Sequence, residues 1–257
     1  DLEFEAVLIA LRKAVLREKN QIEDGSGIID FLSTLALHCF INDYVYFESD
    51  TETRLVRDLE FEVSNLLARA ERPKLLYLLL LAVYRPLHLY DWCEQVDVLD
   101  QHPDLKKRLI EEPLIEREIR KDVTVLNEIT DEISRKVRVQ YEASPYPRWL
   151  KCSKPRAPIS INKLCELHEL RADGSMITQS AAPEILVAGC GTGQHSIETA
   201  WTFRDCEVTA VDISIASLGY AQRKTNELGI TNLNYLQADI LDLTKLDRQF
   251  DVIESVG

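Results

Sequence analysis

No stretch of this sequence stays apolar long enough to cross a bilayer. The densest run, Leu75 to Tyr84 in KLLYLLLLAVYRP, is half of the roughly 20 residues a crossing needs and stops at an Arg-Pro pair, so it reads as a buried helix. A leader of basic, then apolar, then small residues is absent from the stretch that begins at Asp1. Positive charge is not in excess anywhere. Residues 1 to 150 carry 20 Lys+Arg against 29 Asp+Glu, the remainder 10 against 14, and the chain is at -13. The basic clusters Lys106-Lys107-Arg108 and Arg135-Lys136-Val137-Arg138 sit among acids and read as solvated helix faces. Neither a membrane nor a nucleic acid is therefore expected as a partner. The six cysteines include no C-x-x-C pair, which favours a reduced, cytoplasmic setting over a disulfide framework. Cys152, Cys165 and His168 would supply only three ligands with no tight pair, whereas structural zinc takes four, so no metal is expected.

What is present divides the chain. With 257 residues, 46% of them hydrophobic, it is long enough for two globular domains of ordinary size. Apolar residues at helical spacing start with Phe4, Val7, Leu8, Leu11 and Val15. Similar stripes recur over Ile28 to Val45, Leu55 to Leu67, Leu75 to Tyr90 and Ile119 to Val137. Residues 1–140 are expected to be all helix, without a fixed repeat period and without the tetratricopeptide pattern. Residues 141–183 read as a connector. Pro145, Pro147, Pro155 and Pro158 forbid a continuous helix there, Ser160 caps a short helix through Leu170, and Ala172 to Pro183 is a loop.

From residue 184 the period changes. Ile185 to Ala188, Glu207 to Val211, Asn232 to Gln237 and Phe250 to Val256 are short β-rich segments. They alternate with helical stretches at Gln194 to Phe203 and Ser214 to Leu228. Such alternation predicts a parallel sheet with helices on its faces, and ligands bind beyond the carboxyl ends of its strands. The turn GCGTG, Gly189 to Gly193, follows the first of these strands. A dinucleotide fingerprint is G-x-G-x-x-G, but here Gln194 stands where the third glycine would fall, and no Gly-Lys-Ser/Thr follows to make a P-loop.

GCGTG instead resembles the nucleoside-methionine turn of class I S-adenosylmethionine-dependent methyltransferases. So do VTAVDIS with Asp212, QADIL with Asp239, and FDVIESVG, in that order. The resemblance implies an α/β fold, an all-helical N-terminal region followed by a truncated Rossmann-like methyltransferase sheet with the first four parallel strands. Residues 184–257 would be the N-terminal half of an S-adenosylmethionine-binding domain. Asp212 would accept the ribose hydroxyls, each charge-assisted bond being worth ~1.5–3 kcal/mol, and Asp239 would bond the adenine amino group. The implied cofactor-binding set is Ala188, Gly189, Cys190, Gly191, Gly193, Gln194, Asp212, Ile213, Asp239, Ile240 and Ser255, with no catalytic residue assigned. Many members have an acid two residues before the first glycine; here that residue is Val187, and Gln194 or water would serve instead. The family's sheet has seven strands in the order 3-2-1-4-5-7-6, so this sequence is expected to be a fragment, inactive alone, with Phe250 to Val256 as an uncovered edge.

VRVQYEASPYPRW, preceded by helices containing LALHCFINDYVYF, resembles the region ahead of the methyltransferase domain in bacterial proteins that join tetratricopeptide repeats to such a domain. Two readings of the connector stay open: a lid, with Tyr141, Tyr146 or Trp149 closing over the cofactor, or simple packing of those aromatics on the core. The methyl of a sulfonium is already activated, so the protein's task is to hold the nucleophile in line at ~3–3.5 Å. Glu254 and Ser255 lie where an acceptor would approach, though Glu254 could equally pair with the neighbouring helix, and His195 reads as a packed or solvated helix residue. ESVG lacks the [N/D]-P-P-[Y/F/W] run of nucleic-acid amino and glutamine methyltransferases. An unknown protein or small-molecule acceptor remains, with the helical region available to a protein partner. The alternative is a non-catalytic cofactor-binding or scaffold protein.

Overall fold

The computed structural model describes residues 2–22, 25–143, 145–167 and 182–256. The chain forms two compact units, Asp1–Leu114 and Ile115–Gly257.

The first unit is helical. Helices α1 (Leu2–Arg17), α2 (Ser26–Ile41) and α3 (Asp50–Ala68) pack with α4 (Leu75–Tyr84). Nine of the ten residues of α4 are buried, which is why its sequence is apolar on every side. A capping box starts α3: the Ser49 hydroxyl accepts from the Glu52 amide at 3.4 Å, and the Glu52 carboxylate accepts from the Ser49 amide at 3.0 Å. The stripe that predicts helix to Tyr90 stops at Tyr84. Pro86 has no amide to donate, and the chain continues as a 3₁₀ turn at Leu87–Leu89. Short turns lead to α5 (Pro103–Lys106), a π turn at Lys107–Glu111 and α6 (Glu112–Ile119).

The expected helix over Ile119 to Val137 is broken between Ile119 and Glu132, so residues 1–140 are not all helix. Arg120–Asp122 is a 3₁₀ turn and Thr124–Val125 is a strand, β1, parallel to Leu236 and Gln237. The β-branched run Val123-Thr124-Val125 suits a strand, and the Leu126 amide extends the pairing by donating to Gln237 O at 2.9 Å. Helix resumes only at α7 (Glu132–Ala143), where Asp131 Oδ1 accepts from the Ser134 amide at 2.8 Å.

The second unit therefore holds five parallel strands rather than four. They are β1, β2 (Glu184–Ala188), β3 (Glu207–Asp212), β4 (Leu233–Gln237) and β5 (Val252–Ser255), in the order β1-β4-β3-β2-β5. The register aligns Ala188 with Val211 and Ser255, and Asp212 with Gln237, so the strand ends that carry the predicted motifs fall on one rim. Helix α8 (Ile161–Leu167) follows Ser160, whose hydroxyl accepts from the Lys163 amide. Helices α9 (Gln194–Thr202) and α10 (Ile215–Glu227) follow β2 and β3. Ile185, Val187, Val208, Ala210 and Tyr235 pack with Ile197, Leu218 and Trp149 in one cluster, while Leu186, Ala188, Val211 and Ala238 form another, the alternation a strand imposes. His168 and most of the predicted loop from Ala172 to Pro183 lie outside the described residues. No helix among the described residues is long and apolar enough to cross a membrane.

Candidate functional site

Strand β2 delivers the chain into the glycine turn, where the amides of Gly189 and Cys190 both donate to Val211 O at 2.9 Å. The turn is thereby tied to β3. Gly191 sits at φ +52°, and a Cβ built on it or on Gly189 meets nothing within 4 Å; both face open space. Gly193 differs. A Cβ there would stand 2.5 Å from Ala221 Cβ and 2.8 Å from the Tyr235 hydroxyl, at φ +82°. Its side faces protein, where it lets α9 start hard against α10.

Asp212, at the end of β3, points back at the turn. Its Oδ2 accepts from the Gly191 amide at 2.7 Å and its Oδ1 from the Ser214 amide at 2.9 Å. A carboxylate has about four acceptor positions, so each oxygen retains one. Burial raises its pKa above the ordinary 3.8 despite the amide bonds from Ser214 and Gly191, and the charge of Glu142 adds to the rise. Asp239 is buried after β4, its Oδ1 accepting from the Leu241 amide at 3.0 Å as the chain enters the 3₁₀ turn Ile240–Leu246.

These elements enclose a cleft of about 890 Å³. Of the predicted set, Gly189, Cys190, Gly191, Gln194, Asp212, Ile213, Asp239 and Ile240 line it. Ala188, Gly193 and Ser255 do not, and Val256 takes the place expected of Ser255. The structure adds Thr192, His195, Glu198 and Ala238, and from α7 Ile133, Ser134, Val137 and Tyr141, with Tyr146 and Pro147 of the connector. Ile133, Val137 and Tyr141 stand at i, i+4 and i+8, one face of a helix. The expected stripe ending at Val137 already contains Ile133 and Val137, and α7 carries it on through Tyr141.

Two further features place the connector. Glu142 at the end of α7 accepts from the Ile215 amide at 2.8 Å and the Ala216 amide at 3.0 Å, capping the start of α10. Thr192 Oγ1 donates to Pro147 O at 2.7 Å, Trp149 Nε1 donates to Thr192 O at 2.9 Å, and the Tyr220 hydroxyl donates to Trp149 O. Trp149 is buried edge-on to Tyr220. It packs beneath the turn, while Tyr141 and Tyr146 line the cleft. Beside them, Glu198 accepts from the Ser153 amide and from Cys152, whose thiol is pushed up to about 12 by burial and then by that carboxylate. Glu254 turns toward α9, accepting from Thr199 Oγ1 at 2.7 Å and lying 3.1 Å from His195 Nε2.

Residues 185–257 match the family model described as a methyltransferase domain. An uncharacterized protein of a Synechococcus strain is 36% identical over 80 residues, 31% of this chain and 19% of its own length. The release factor glutamine methyltransferase of Rhodopirellula baltica is 32% identical over 78 residues, 30% and 26% of the two chains. The malonyl-[acyl-carrier protein] O-methyltransferase of Enterobacter lignolyticus is 36% identical over 92 residues, 35% and 34%. The chain thus spans about a third or less of the length of these relatives. A solved structure from echinomycin biosynthesis aligns over 49% of this chain and 46% of its own, at 24% identity and a TM-score of 0.32. The residues fit such a domain's cofactor on their own geometry: two glycines open onto the cleft, and beside them a carboxylate has two acceptor positions to spare. Residues 185–257 are similar to methyltransferase domains and lie in a Rossmann-like parallel sheet.

Proposed function

We propose that the second unit binds S-adenosylmethionine and promotes transfer of its methyl group to an acceptor molecule. The observation that carries this reading is Asp212. Its two oxygens are fixed by the Gly191 and Ser214 amides, and each keeps an acceptor position beside the open glycine turn. Two adjacent hydroxyls of a ribose match that pair. Gly189 and Gly191 let a ligand come to the backbone itself, and Asp239 with Ile240 would flank its base. When bound, the cofactor supplies a carbon already activated by positive sulfur. What the chain supplies is orientation and exclusion of water, from the walls formed by Ile133, Val137, Tyr141 and Val256.

Calorimetry with S-adenosylhomocysteine and with NAD tests the reading. S-adenosylhomocysteine is expected to bind and NAD not, and Asp212→Ala should weaken S-adenosylhomocysteine binding by about 10-fold or more, the loss of a charge-assisted bond or two. Tight NAD binding, or an Asp212→Ala variant with unchanged affinity, would sink it.

A further inference from the structure

One pair of side chains in the cleft is not used by the cofactor's binding as described. His195 lies in the first turn of α9, lines the cleft, and has a side chain 41% exposed. Its Nε2 is nevertheless sealed from solvent, 3.1 Å from Glu254 Oε2. The contact does not reach hydrogen-bond geometry. Catalytic contacts in ligand-free sites are commonly long or misaligned in this way and tighten in the complex. Glu254 is itself fixed, because Thr199 Oγ1 donates to the same oxygen at 2.7 Å. A carboxylate from β5 is thus held by α9 beside one ring nitrogen of a histidine that lines the cleft.

The neighbouring ionisable groups have other occupations. Glu198 accepts from the Ser153 amide and the Cys152 thiol, Asp212 and Asp239 accept from backbone amides, and the Cys190 thiol is held far above its ordinary range by burial. Tyr141 and Tyr146 line the walls. His195 lines the cleft with a fixed carboxylate beside it, the components of a base with its orienting acid.

We propose that His195, positioned by Glu254, is the general base that takes a proton from the methyl acceptor, so that the acceptor is an alcohol, phenol or thiol with an apolar body. This rests on the methyl-transfer reading above. In the step, the acceptor's oxygen or sulfur forms the new bond to carbon, the old carbon–sulfur pair remains on sulfur, and the acceptor's proton passes to Nδ1. The positive charge lost at sulfur reappears on the imidazole, facing Glu254. An acceptor already ionised, such as a carboxylate, would need no such pair. The apolar body follows from the apolar residues that line the same cleft, Ile133, Val137 and Val256.

The test combines S-adenosylhomocysteine calorimetry with labelled methyl transfer to 2-naphthol and 1-octanethiol. The unaltered protein, in a form that continues past Gly257, should methylate at least one probe. His195→Ala should bind S-adenosylhomocysteine within twofold of the parent while losing about 100-fold in kcat, and added imidazole should restore part of that loss. Glu254→Gln, which keeps the shape but not the charge, should lose about 10-fold in kcat with the probe KM and S-adenosylhomocysteine affinity unchanged. A His195→Ala protein that binds normally and keeps its kcat, or is not rescued by imidazole, overturns the base. A tenfold loss of S-adenosylhomocysteine affinity in His195→Ala makes the residue a cofactor contact instead. A protein that binds S-adenosylhomocysteine but methylates neither probe overturns the acceptor class, whereas failure to bind it at all rejects the underlying methyl-transfer reading.

Discussion

Asp212 carries two loads on one carboxylate: it closes the turn between β2 and β3, and it presents its remaining acceptor positions to the cleft. Burial, the largest influence, raises its pKa, so the ligand-free fold holds a proton there to higher pH than an unfolded chain does. For this group alone, stability is present below the ordinary value of 3.8 and is lost as pH rises through the folded value. Binding has the opposite sign, because ribose hydroxyls donate to the ionised form. S-adenosylhomocysteine affinity is therefore expected to fall as pH falls through the raised folded value and to be flat above it. Calorimetry down to the lowest pH at which the protein stays folded checks this, with Asp212→Asn as control: if the variant shows the same slope, another group is responsible. Residues of this kind were legible in the sequence because GCGTG and VTAVD join a composition that only close backbone approach explains to an acid at the right strand end. Gly193 belongs to the same turn but answers to Ala221 and Tyr235, a packing demand that no local pattern reveals. Val256 lines the cleft one residue beyond the expected Ser255, and along a strand one residue reverses the face.

Among the elements, the sheet was readable and its first edge strand was not, since two residues give no periodicity to detect. The connector was readable as a break in helix but not as a structure. Its prolines exclude a helix, yet nothing local to them shows that Pro147, Trp149 and Ser153 bind the glycine turn and α9. Within the same unit, Arg148 of the connector and Arg223 of α10 both reach Glu116, at 3.4 Å and 2.9 Å, and all three are buried. Gly219 makes the approach possible, since a Cβ there would stand 2.7 Å from Arg120 Cγ and 3.0 Å from Glu116 O. Removing Glu116 takes away a carboxylate that both buried guanidinium groups share, while Arg223 keeps Glu227 at 3.1 Å; breaking a buried pair typically costs about 3–5 kcal/mol. Glu116→Ala should therefore lower the free energy of unfolding by about that much in a denaturant titration that follows Trp149. A change below about 1 kcal/mol would mean that the arginines' other partners, Glu227 among them, hold the site without Glu116.

At the scale of the molecule, the buried apolar residues fall into separate clusters: Leu8 to Ile110 in the first unit, and Trp149 to Tyr235 with Leu186 to Ala238 in the second. Every residue lining the cleft belongs to the second unit. A ligand that binds only the folded form stabilises it by about 2.7 kcal/mol at a hundred times its Kd, and that gain reaches only segments whose opening destroys the site. Hydrogen exchange with and without S-adenosylhomocysteine at that excess should thus slow by about 100-fold across β2, β3 and the start of α9, in the amides that exchange through opening of the unit. α7 should gain protection too, because Ile133, Val137 and Tyr141 form one wall and Glu142 holds the entry to α10. The slow amides of α2 and α4, within the first core, should exchange at their unliganded rate. Equal slowing in both sets would mean that the two cores open as one cooperative body, and stability measured on this chain would then be a single quantity; slowing confined to 184–213 without α7 would leave the helix outside the site and return Tyr141 to the surface.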